Sequence, residues 1–518
     1  MLKAGRRMLK RRSPGMAGKN EYVGGFRGDS EAQTPLLSAG KAAIGGASIL
    51  SCVATLANTI LGTGILELSH AFSATGLVVG VVLLCFFACC AAFTLHLLAE
   101  SARTVTGVDP NTGARLDSSF SLDHTAAFVP PGSTRSQDLL YRSSGASSPV
   151  YSDQDRLTLA DPSQPLPDEL KPQKSSFYLV ADAAVPRFSF LVDTAVAVKC
   201  FGVAVSYLIV VGDMMPDAMK FILGDDGPPF WLSRQTWIVA GWLLVVPMAF
   251  AKTLDALKFT SSFAVAVVMG VVAMTILYAV DPDLDGCDDA DDDGCPGETV
   301  VIPDSPKDTF AVLTLFVFCF TCHQNIFTIC NEIKRNTRKN VNRVIFIAVS
   351  MCFSLCLLVA IAGYSMYGDV LLPEGKDNIL PHMPSNEATT AARIGLTLMV
   401  LFSYPLQAHP SRNSALSLVN SCFGIETDAA AGPQVDLRFI AFTVVFLIAS
   451  LAIALVTESL GMVMGIVGAV GSTTVSFLLP GAVYFRLHPW PHWKRYGAAF
   501  VFCIGCIIMP LALVFIFL

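Results

Sequence analysis

The sequence predicts an all-α membrane protein, and its composition and hydropathy both support this fold class. Hydrophobic residues make up 53% of the 518 residues, charged residues make up only 15%, and the mean hydropathy is +0.57. Soluble globular proteins carry about 25% charged residues. Apolar stretches of about 20 residues, the length that crosses a bilayer as a helix, recur along the chain between short polar loops.

We predict eleven transmembrane spans, of which the first is interrupted. A turn at 457–459 is the only separation between the ninth and tenth spans. The predicted ranges are 49–66 with 68–75, 77–100, 190–212, 235–251, 260–280, 309–329, 343–366, 391–408, 438–457, 460–484 and 497–518.

The distribution of basic residues predicts the orientation. Cytoplasmic loops carry an excess of Lys and Arg, which indicates a cytoplasmic N-terminus and an outer or luminal C-terminus. The host membrane is then a plasma membrane or a vacuolar or lysosomal one. The loops assigned to the cytoplasm hold Lys252, Lys258, Lys334, Arg335, Arg338, Lys339, Arg343, Arg412, Arg486, Lys494 and Arg495, whereas the opposite loops hold little beyond Arg234, Lys307 and Lys376.

Two segments differ from the rest of the chain in composition. Residues 1–45 and 105–180 are rich in Ser, Pro, Asp and Gly and contain few aliphatic runs. Such segments bury too little apolar surface to offset the entropy of ordering. We therefore predict a disordered cytoplasmic tail at 1–45, a transporter domain over 46–518, and within it a disordered cytoplasmic insert at 105–180.

The most informative stretch is the Gly62-Thr63-Gly64 sequence inside the first apolar span. Lipid offers no partners for free backbone groups, so an interrupted span is tolerated where those groups line a cavity. Amides that begin a half-helix suit a carboxylate, and carbonyls that end one suit a cation. The alternative interpretation is a packing motif, because small residues also allow helices to approach closely.

Stretches in the predicted spans one, three, six, eight and ten are similar to the motifs of one family. They are Asn-Thr-Ile-Leu-Gly-Thr-Gly-Ile-Leu at 58–66, Val-Ser-Tyr-Leu at 205–208 with Asp213 and Pro216, Cys-His-Gln at 322–324 with 331–333, Ser-Tyr-Pro at 403–405 with 409–412, and Leu-Pro-Gly at 479–481. The chain resembles the amino acid/auxin permeases, nearest the sodium-coupled neutral amino acid transporter branch. Most of 47–518 takes part in the resemblance.

This resemblance implies a five-plus-five inverted repeat of the leucine-transporter type with one extra helix. Spans one and six would both be discontinuous and would face each other across the substrate. The sequence agrees, because the polar residues 321–325 interrupt span six at the corresponding position of the second half. The alternative is that His323 and Asn325 only form hydrogen bonds within a buried bundle.

The resemblance also implies roles for individual residues. The amides of Gly62, Thr63 and Gly64 would bind the carboxylate of an amino acid, and carbonyls near Cys319 to Cys322 would bind its ammonium group. Asn58 and Ser403 occupy positions linked to sodium. Ser403 could instead bond to a carbonyl one turn earlier. Proton coupling is the rival hypothesis, with His323 as proton carrier or pH sensor.

Glu67 is the sharpest departure from the family, which has a small residue at that position. A carboxylate one turn beyond the break would stand near a substrate side chain and favour cationic or polar amino acids, or carry a coupled proton. Two alternatives remain. Glu67 could form a structural ion pair with Lys199, another unusual charge within a span, or it could lie in a water-filled vestibule.

An acidic outer loop is predicted at 281–308. It has the ligand spacing of a calcium loop in Asp281, Asp283, Asp285, Asp289 and Asp292, with Gly286 at position six. Cys287 and Cys295 flank it, and a Cys287–Cys295 disulfide would form if this face is oxidising. The alternative is a solvated acidic spacer that attracts cations.

These observations predict a secondary active transporter of amino acids, coupled to Na⁺ or H⁺, that works by alternating access. We expect a monomer in a lipid bilayer, with no cofactor and no nucleic-acid partner. The sequence contains no nucleotide-binding loop or zinc spacing, so we expect no enzymatic activity. An amino acid sensor of the same fold, signalling through its cytoplasmic segments, is the alternative.

Overall fold

The structure is a computed structural model, and it describes residues 47–112, 175–186, 189–224, 226–250, 257–281, 297–303, 305–372, 378–423, 437–457 and 459–516. Within them the chain is almost entirely helical. Its α-helices are α1 Ile49–Ile60, α2 Leu68–Thr106, α3 Phe177–Ala184, α4 Ser189–Leu223, α5 Pro229–Leu232, α6 Arg234–Ala249, α7 Leu257–Val280, α8 Pro306–Ala311, α9 Leu313–Cys319, α10 Ile326–Glu332, α11 Arg338–Tyr367, α12 Glu387–Phe423, α13 Leu437–Val456, α14 Leu460–Ile466, α15 Leu479–Leu487 and α16 Trp493–Ile516.

The prediction of an all-α membrane protein is confirmed. By length and composition, eight helices among the described residues could cross a membrane. Helix occurs in each of the eleven predicted ranges, while the count of eleven spans and the inverted repeat stay predictions. Much of the predicted insert at 105–180, the tail at 1–45 and most of the acidic loop lie outside the described residues.

Helix α4 lies at the centre of the bundle. In the most apolar 18-residue stretch of α4, 83% is buried inside the protein. The corresponding stretches of α13 and α16 are only 22% buried. Side chains on the peripheral helices are correspondingly exposed, among them Val456 and Ile507. Apolar side chains on the outside of the bundle suit contact with lipid acyl chains, since water would penalise them.

Hydroxyl side chains start several of the helices. The side chains of Ser48, Ser176, Thr337 and Ser459 each accept a hydrogen bond from the backbone amide three residues later. Such N-caps satisfy amides that have no partner within the helix. At the other end of α2, Gly107 adopts a left-handed conformation with φ of 65°, which glycine does without a steric cost.

A kink at Gly76 divides helix α2 where the predicted first span gives way to the second. Gly76 has φ of 67°, and a Cβ on it would lie 3.0 Å from the carbonyl oxygen of Val301. The amides of Leu77 and Val78 donate to the carbonyls of Val300 and Val301 at 3.1 and 3.0 Å. The segment at Val300 and Val301 therefore provides hydrogen-bond partners for the backbone amides that the kink frees.

Candidate functional site

The chain leaves the α-helical conformation in the two spans where the sequence predicts interruptions. Helix α1 ends at Ile60 and a 3₁₀ turn covers Thr63–Glu67. Helix α9 ends at Cys319, and a second 3₁₀ turn covers His323–Asn325 before α10 begins. Such short 3₁₀ pieces within a helical path often mark functional positions.

The two interruptions pack against each other through Gly64. A Cβ on Gly64 would lie 3.0 Å from the ring of Phe318 and 3.4 Å from the Cα of Cys319. This close contact supports the packing interpretation of Gly64, because a side chain there would push Phe318 aside. Asn325 donates a side-chain hydrogen bond to Thr59, which joins the same two spans on the other side of the break.

Gly62 is placed differently from Gly64. It is half-buried, and the nearest atoms to a Cβ on it are the hydroxyl of Tyr207 at 3.7 Å and the carbonyl of Thr59 at 3.8 Å. Among the described residues, no hydrogen bond to the amide of Gly62 is seen. An accessible amide beside a tyrosine hydroxyl is the kind of donor pair that binds a carboxylate.

Helix α4 supplies polar groups opposite the first break. The hydroxyls of Thr63 and Ser206 are 3.4 Å apart, and Gln407 of α12 donates to the hydroxyl of Tyr207 at 3.5 Å. The other amide atom of Gln407, its Oε1, is buried without a hydrogen-bond partner in the described structure. We did not predict Gln407, because it is brought to this place by a contact across 200 positions of sequence.

His323 lies fully buried between two hydroxyl groups. Its Nε2 is 2.8 Å from the hydroxyl of Thr94 and its Nδ1 is 2.9 Å from that of Ser476. The Ser476 hydroxyl is in turn 3.1 Å from that of Thr321. Both ring nitrogens are therefore occupied, as the alternative interpretation of a hydrogen-bonded bundle residue expects. A substrate or proton contact of His323 stays a prediction.

Asn58 and Ser403, the two residues that the resemblance links to sodium, are both buried. Asn58 donates to the hydroxyl of Ser261 on α7 at 3.4 Å, and its carbonyl oxygen is buried without a hydrogen-bond partner among the described residues. A role of Asn58 and Ser403 in sodium binding stays a prediction.

The remaining predicted site residues lie close to the breaks. Glu67, at the end of the first 3₁₀ turn, is completely buried, and no ion pair joins it to Lys199 in the described structure. Cys319 and Cys356 place their sulfur atoms 3.6 Å apart. Cys322, next to His323, is completely buried.

The predicted calcium loop and the Cys287–Cys295 disulfide lie outside the described residues, except for Asp281 at the end of α7. The described residues contain no group of three or more His, Cys, Asp or Glu that could hold a metal ion. Both hypotheses therefore stay predictions.

A cavity of about 600 Å³ extends from the predicted cytoplasmic side to the break in span six. It is bounded by residues of α1, α4, α7, α10 and α12, and the segment before α3 covers part of it. Its polar lining includes Thr55, Asp193, Ser261, Gln324, Asn325, His409 and Ser414. A space of this size accommodates an amino acid with water.

On the opposite side of the bundle, hydrogen bonds from Arg393 and from the amide of Ile379 to backbone carbonyls join neighbouring segments. The side chain of Arg393 is 1% exposed, and it donates to the carbonyls of Leu380 and Met383 at 3.1 and 3.2 Å. On the same side, the amide of Ile379 donates to the carbonyl of Leu66 at 3.3 Å. These bonds hold the segment 379–383 against the first 3₁₀ turn and against α12.

An ionic cluster ties the helix ends together on the predicted cytoplasmic side. Glu100 of α2 accepts from Lys494 of α16 at 2.9 Å and from Arg338 of α11 at 2.6 Å. Tyr484 donates to the same carboxylate at 3.2 Å. Just beyond α15, burial lowers the pKa of His488, whose ring stacks on that of Tyr484 at 4.1 Å.

Comparison with known proteins identifies what the chain is similar to. The model of the family described as "Transmembrane amino acid transporter protein" matches residues 45–118 and 158–518. Vacuolar amino acid transporter 5 of Schizosaccharomyces pombe is 32% identical over 85% of this chain and 85% of its own length. Vacuolar amino acid transporter 6 of Saccharomyces cerevisiae is 27% identical over 89% and 97%. Sodium-coupled neutral amino acid transporter 7 of Rattus norvegicus is 24% identical over 56% and 61%.

Proposed function

Because the chain belongs to the transmembrane amino acid transporter family, we propose that it is a secondary active transporter that moves amino acids by alternating access. A gradient of H⁺ or Na⁺ would drive the movement. The proposal rests chiefly on one observation, the cavity that reaches Gln324 and Asn325 at the break in span six. A site between two interrupted helices, open to one face at a time, is the arrangement that alternating access requires.

The substrate would bind in the space between the two breaks. The accessible amide of Gly62 and the hydroxyl of Tyr207 supply donors for its carboxylate. The carbonyls released where α9 ends at Cys319 supply acceptors for its ammonium group. The carboxylate of the amino acid would lie at the partially positive start of one half-helix, and its ammonium group at the partially negative end of the other. This arrangement favours an amino acid over a neutral solute.

A vacuolar or lysosomal-type membrane is the host that the comparisons favour. The two vacuolar relatives align with 85% and 89% of the chain, whereas the sodium-coupled relative aligns with 56%. We therefore propose a vacuolar or lysosomal membrane rather than the plasma membrane as its host. The basic residues of the loops support a cytoplasmic N-terminus.

Glu67 would bias the choice of substrate toward cationic amino acids. Its carboxylate is completely buried directly after the break in span one, where a substrate side chain would extend. Uptake of arginine and alanine by the Glu67→Gln variant tests this hypothesis, with Glu387→Gln as a control at the exposed start of α12. The arginine-to-alanine ratio should fall by about tenfold in Glu67→Gln alone, and an unchanged ratio would refute the bias.

Uptake by the full-length protein in proteoliposomes tests the transport function. Vesicles with an imposed pH or Na⁺ gradient should accumulate a labelled amino acid above its external concentration, and an ionophore that dissipates the gradient should abolish the accumulation. Equilibration that ignores both gradients would contradict secondary active transport. Amino acid binding without flux, together with a ligand-dependent partner of residues 105–180, would favour the sensor instead.

A further inference from the structure

Lys199 is a charged residue deep within the most buried helix of the bundle. Its side chain is 2% exposed. Among the described residues, neither a hydrogen bond nor an ion pair to its ammonium group is seen. An ammonium ion without a carboxylate costs several kcal/mol to hold in such a place. Ionisable residues within membrane spans are rare and are typical of ion and proton pathways.

The break in span six lies within electrostatic range of Lys199. The charge of Lys199 acts on Cys322 and His323 of that break and on Cys200 of its own helix. On the opposite side, a Cβ on Gly471 would be 2.6 Å from the Cβ of Lys199. The glycine therefore lets the π-helical segment of the tenth predicted span close over the stem of the lysine.

Other charged groups lie on α4 or on the helices that pack against it. Some of them already have hydrogen-bond partners, and the rest lie at other levels along α4. Asp193, six residues earlier, receives hydrogen bonds from Ser414 and Ser417 of α12. Arg412 of the same helix donates to the carbonyl of Ala249 and to Thr443. The other groups are Glu67 in the first 3₁₀ turn, Asp182 on α3, Glu387 and His409 on α12, Arg438 on α13, and the pairs Arg234–Asp213 and Arg393–Asp217 near the far end of α4.

The position of Lys199 along α4 connects the cavity to the first break. Asp193 and Val196 line the cavity, and Lys199 follows one helical turn later. Two turns beyond it, Ser206 and Tyr207 contact the break at Thr63 and Gly62. One face of a single helix thus carries the cavity lining, the amine and the substrate contacts in succession.

We propose that the amine of Lys199 is the proton-binding site that couples the pH gradient to amino acid movement, an inference that rests on the proposed transport function. The neutral amine takes a proton from a hydronium ion when the site opens to the acidic compartment, forming an N–H bond and releasing water. When the site opens to the cytoplasm, the ammonium returns that proton to water. One proton therefore crosses with each substrate.

Two substitutions of Lys199 in the full-length chain test the proposal in proteoliposomes. Lys199→Gln removes the titrating group and should reduce accumulation driven by a pH gradient at least tenfold, while retaining exchange of labelled for unlabelled amino acid. Lys199→Arg keeps a permanent charge and should slow both processes. Lys220→Gln, at the exposed end of the same helix, should behave as the unsubstituted protein. A Lys199→Gln variant that still accumulates amino acid from a pH gradient would overturn the proposal.

A measurement on the unsubstituted protein covers the case in which both variants fail to fold. Vesicles loaded with a pH-sensitive dye should report proton movement on addition of amino acid. Transport driven by Na⁺ without such a proton signal would overturn the role of Lys199 and leave the transport function standing. The absence of any uptake would instead contradict the proposed function itself.

Discussion

Gly64 lies directly against the ring of Phe318, so that a Cβ on the glycine would come within 3.0 Å of the ring. This contact joins the two interrupted spans at the level where each leaves the α-helix. The neighbouring Gly62 has only ordinary distances to its surroundings, 3.7 Å to the hydroxyl of Tyr207. The two glycines of one motif therefore serve different purposes, close packing at one and an accessible amide at the other.

Substitution of Gly64 by alanine should impair the protein more than the same change at a glycine that has open space around it. The added methyl group forces Phe318 aside, and overpacking of this kind costs about 1–3 kcal/mol. We expect a lower melting temperature and reduced uptake, because the substitution displaces the contact between the two interrupted spans. Gly270→Ala is the matched control, because a Cβ there meets nothing within 4 Å. Equal effects of the two substitutions would contradict the packing role.

The hydrogen bonds of His323 should contribute to stability through the hydroxyls on either side of it. Thr94→Val leaves one buried ring nitrogen without a partner, which costs about 1–3 kcal/mol. Ser476→Ala should have a similar effect, and the double variant should deviate from additivity because both hydroxyls act on one ring. Thermal unfolding of the purified protein measures these changes.

Thr106→Val is the control for these variants. Among the described residues its hydroxyl bonds to the carbonyl of Ala102 alone, at 2.8 Å within the same helix α2. If Thr94→Val proved no more destabilising than Thr106→Val, the imidazole would have another source of stabilisation.

The interruptions could be predicted because their residues are unusual in an apolar membrane-spanning helix. Gly62 and the polar run around His323 stand in apolar spans where neither suits a continuous helix, and the chain leaves the helix at both. The π-helical segments Val467–Ser472 and Thr474–Leu478 could not be predicted. Their residues fit an ordinary α-helix equally well, and the distortion depends on contacts such as that of Gly471 with Lys199.

The partners of the site residues were harder to predict than their positions. Asn58 pairs with Ser261 across 203 positions, and Gln407 pairs with Tyr207 across 200. Local periodicity carries no information on such contacts, since they depend on which helices become neighbours. The resemblance to a family linked Asn58 and Ser403 to sodium but carried no information on the bond of Asn58 to Ser261.

Loss of Lys494 should destabilise the protein more than loss of Arg338, although both side chains pair with Glu100. Lys494 is largely buried, with 17% of its side chain exposed, whereas Arg338 is 50% exposed. Lys494→Gln leaves a buried carboxylate short of its charge partner, which destabilises by about 3–5 kcal/mol. Arg338→Gln removes a half-exposed partner and should cost below about 1 kcal/mol. Comparable losses of melting temperature in the two variants would show that the carboxylate is solvated rather than buried.

His488 should make the stability of the protein fall in acid. Burial lowers the pKa of His488, so just below its ordinary value of about 6.5 the folded chain binds fewer protons than the unfolded chain. Stability then decreases as the pH falls through about 6.5 toward the lowered pKa, and it is fully regained above that range. His488→Gln should flatten this part of the dependence of melting temperature on pH. His492→Gln, a substitution of the neighbouring histidine that contacts Tyr484 at 3.0 Å, is the matched control. An acid dependence that persists in His488→Gln and disappears in His492→Gln would assign the effect to His492 instead.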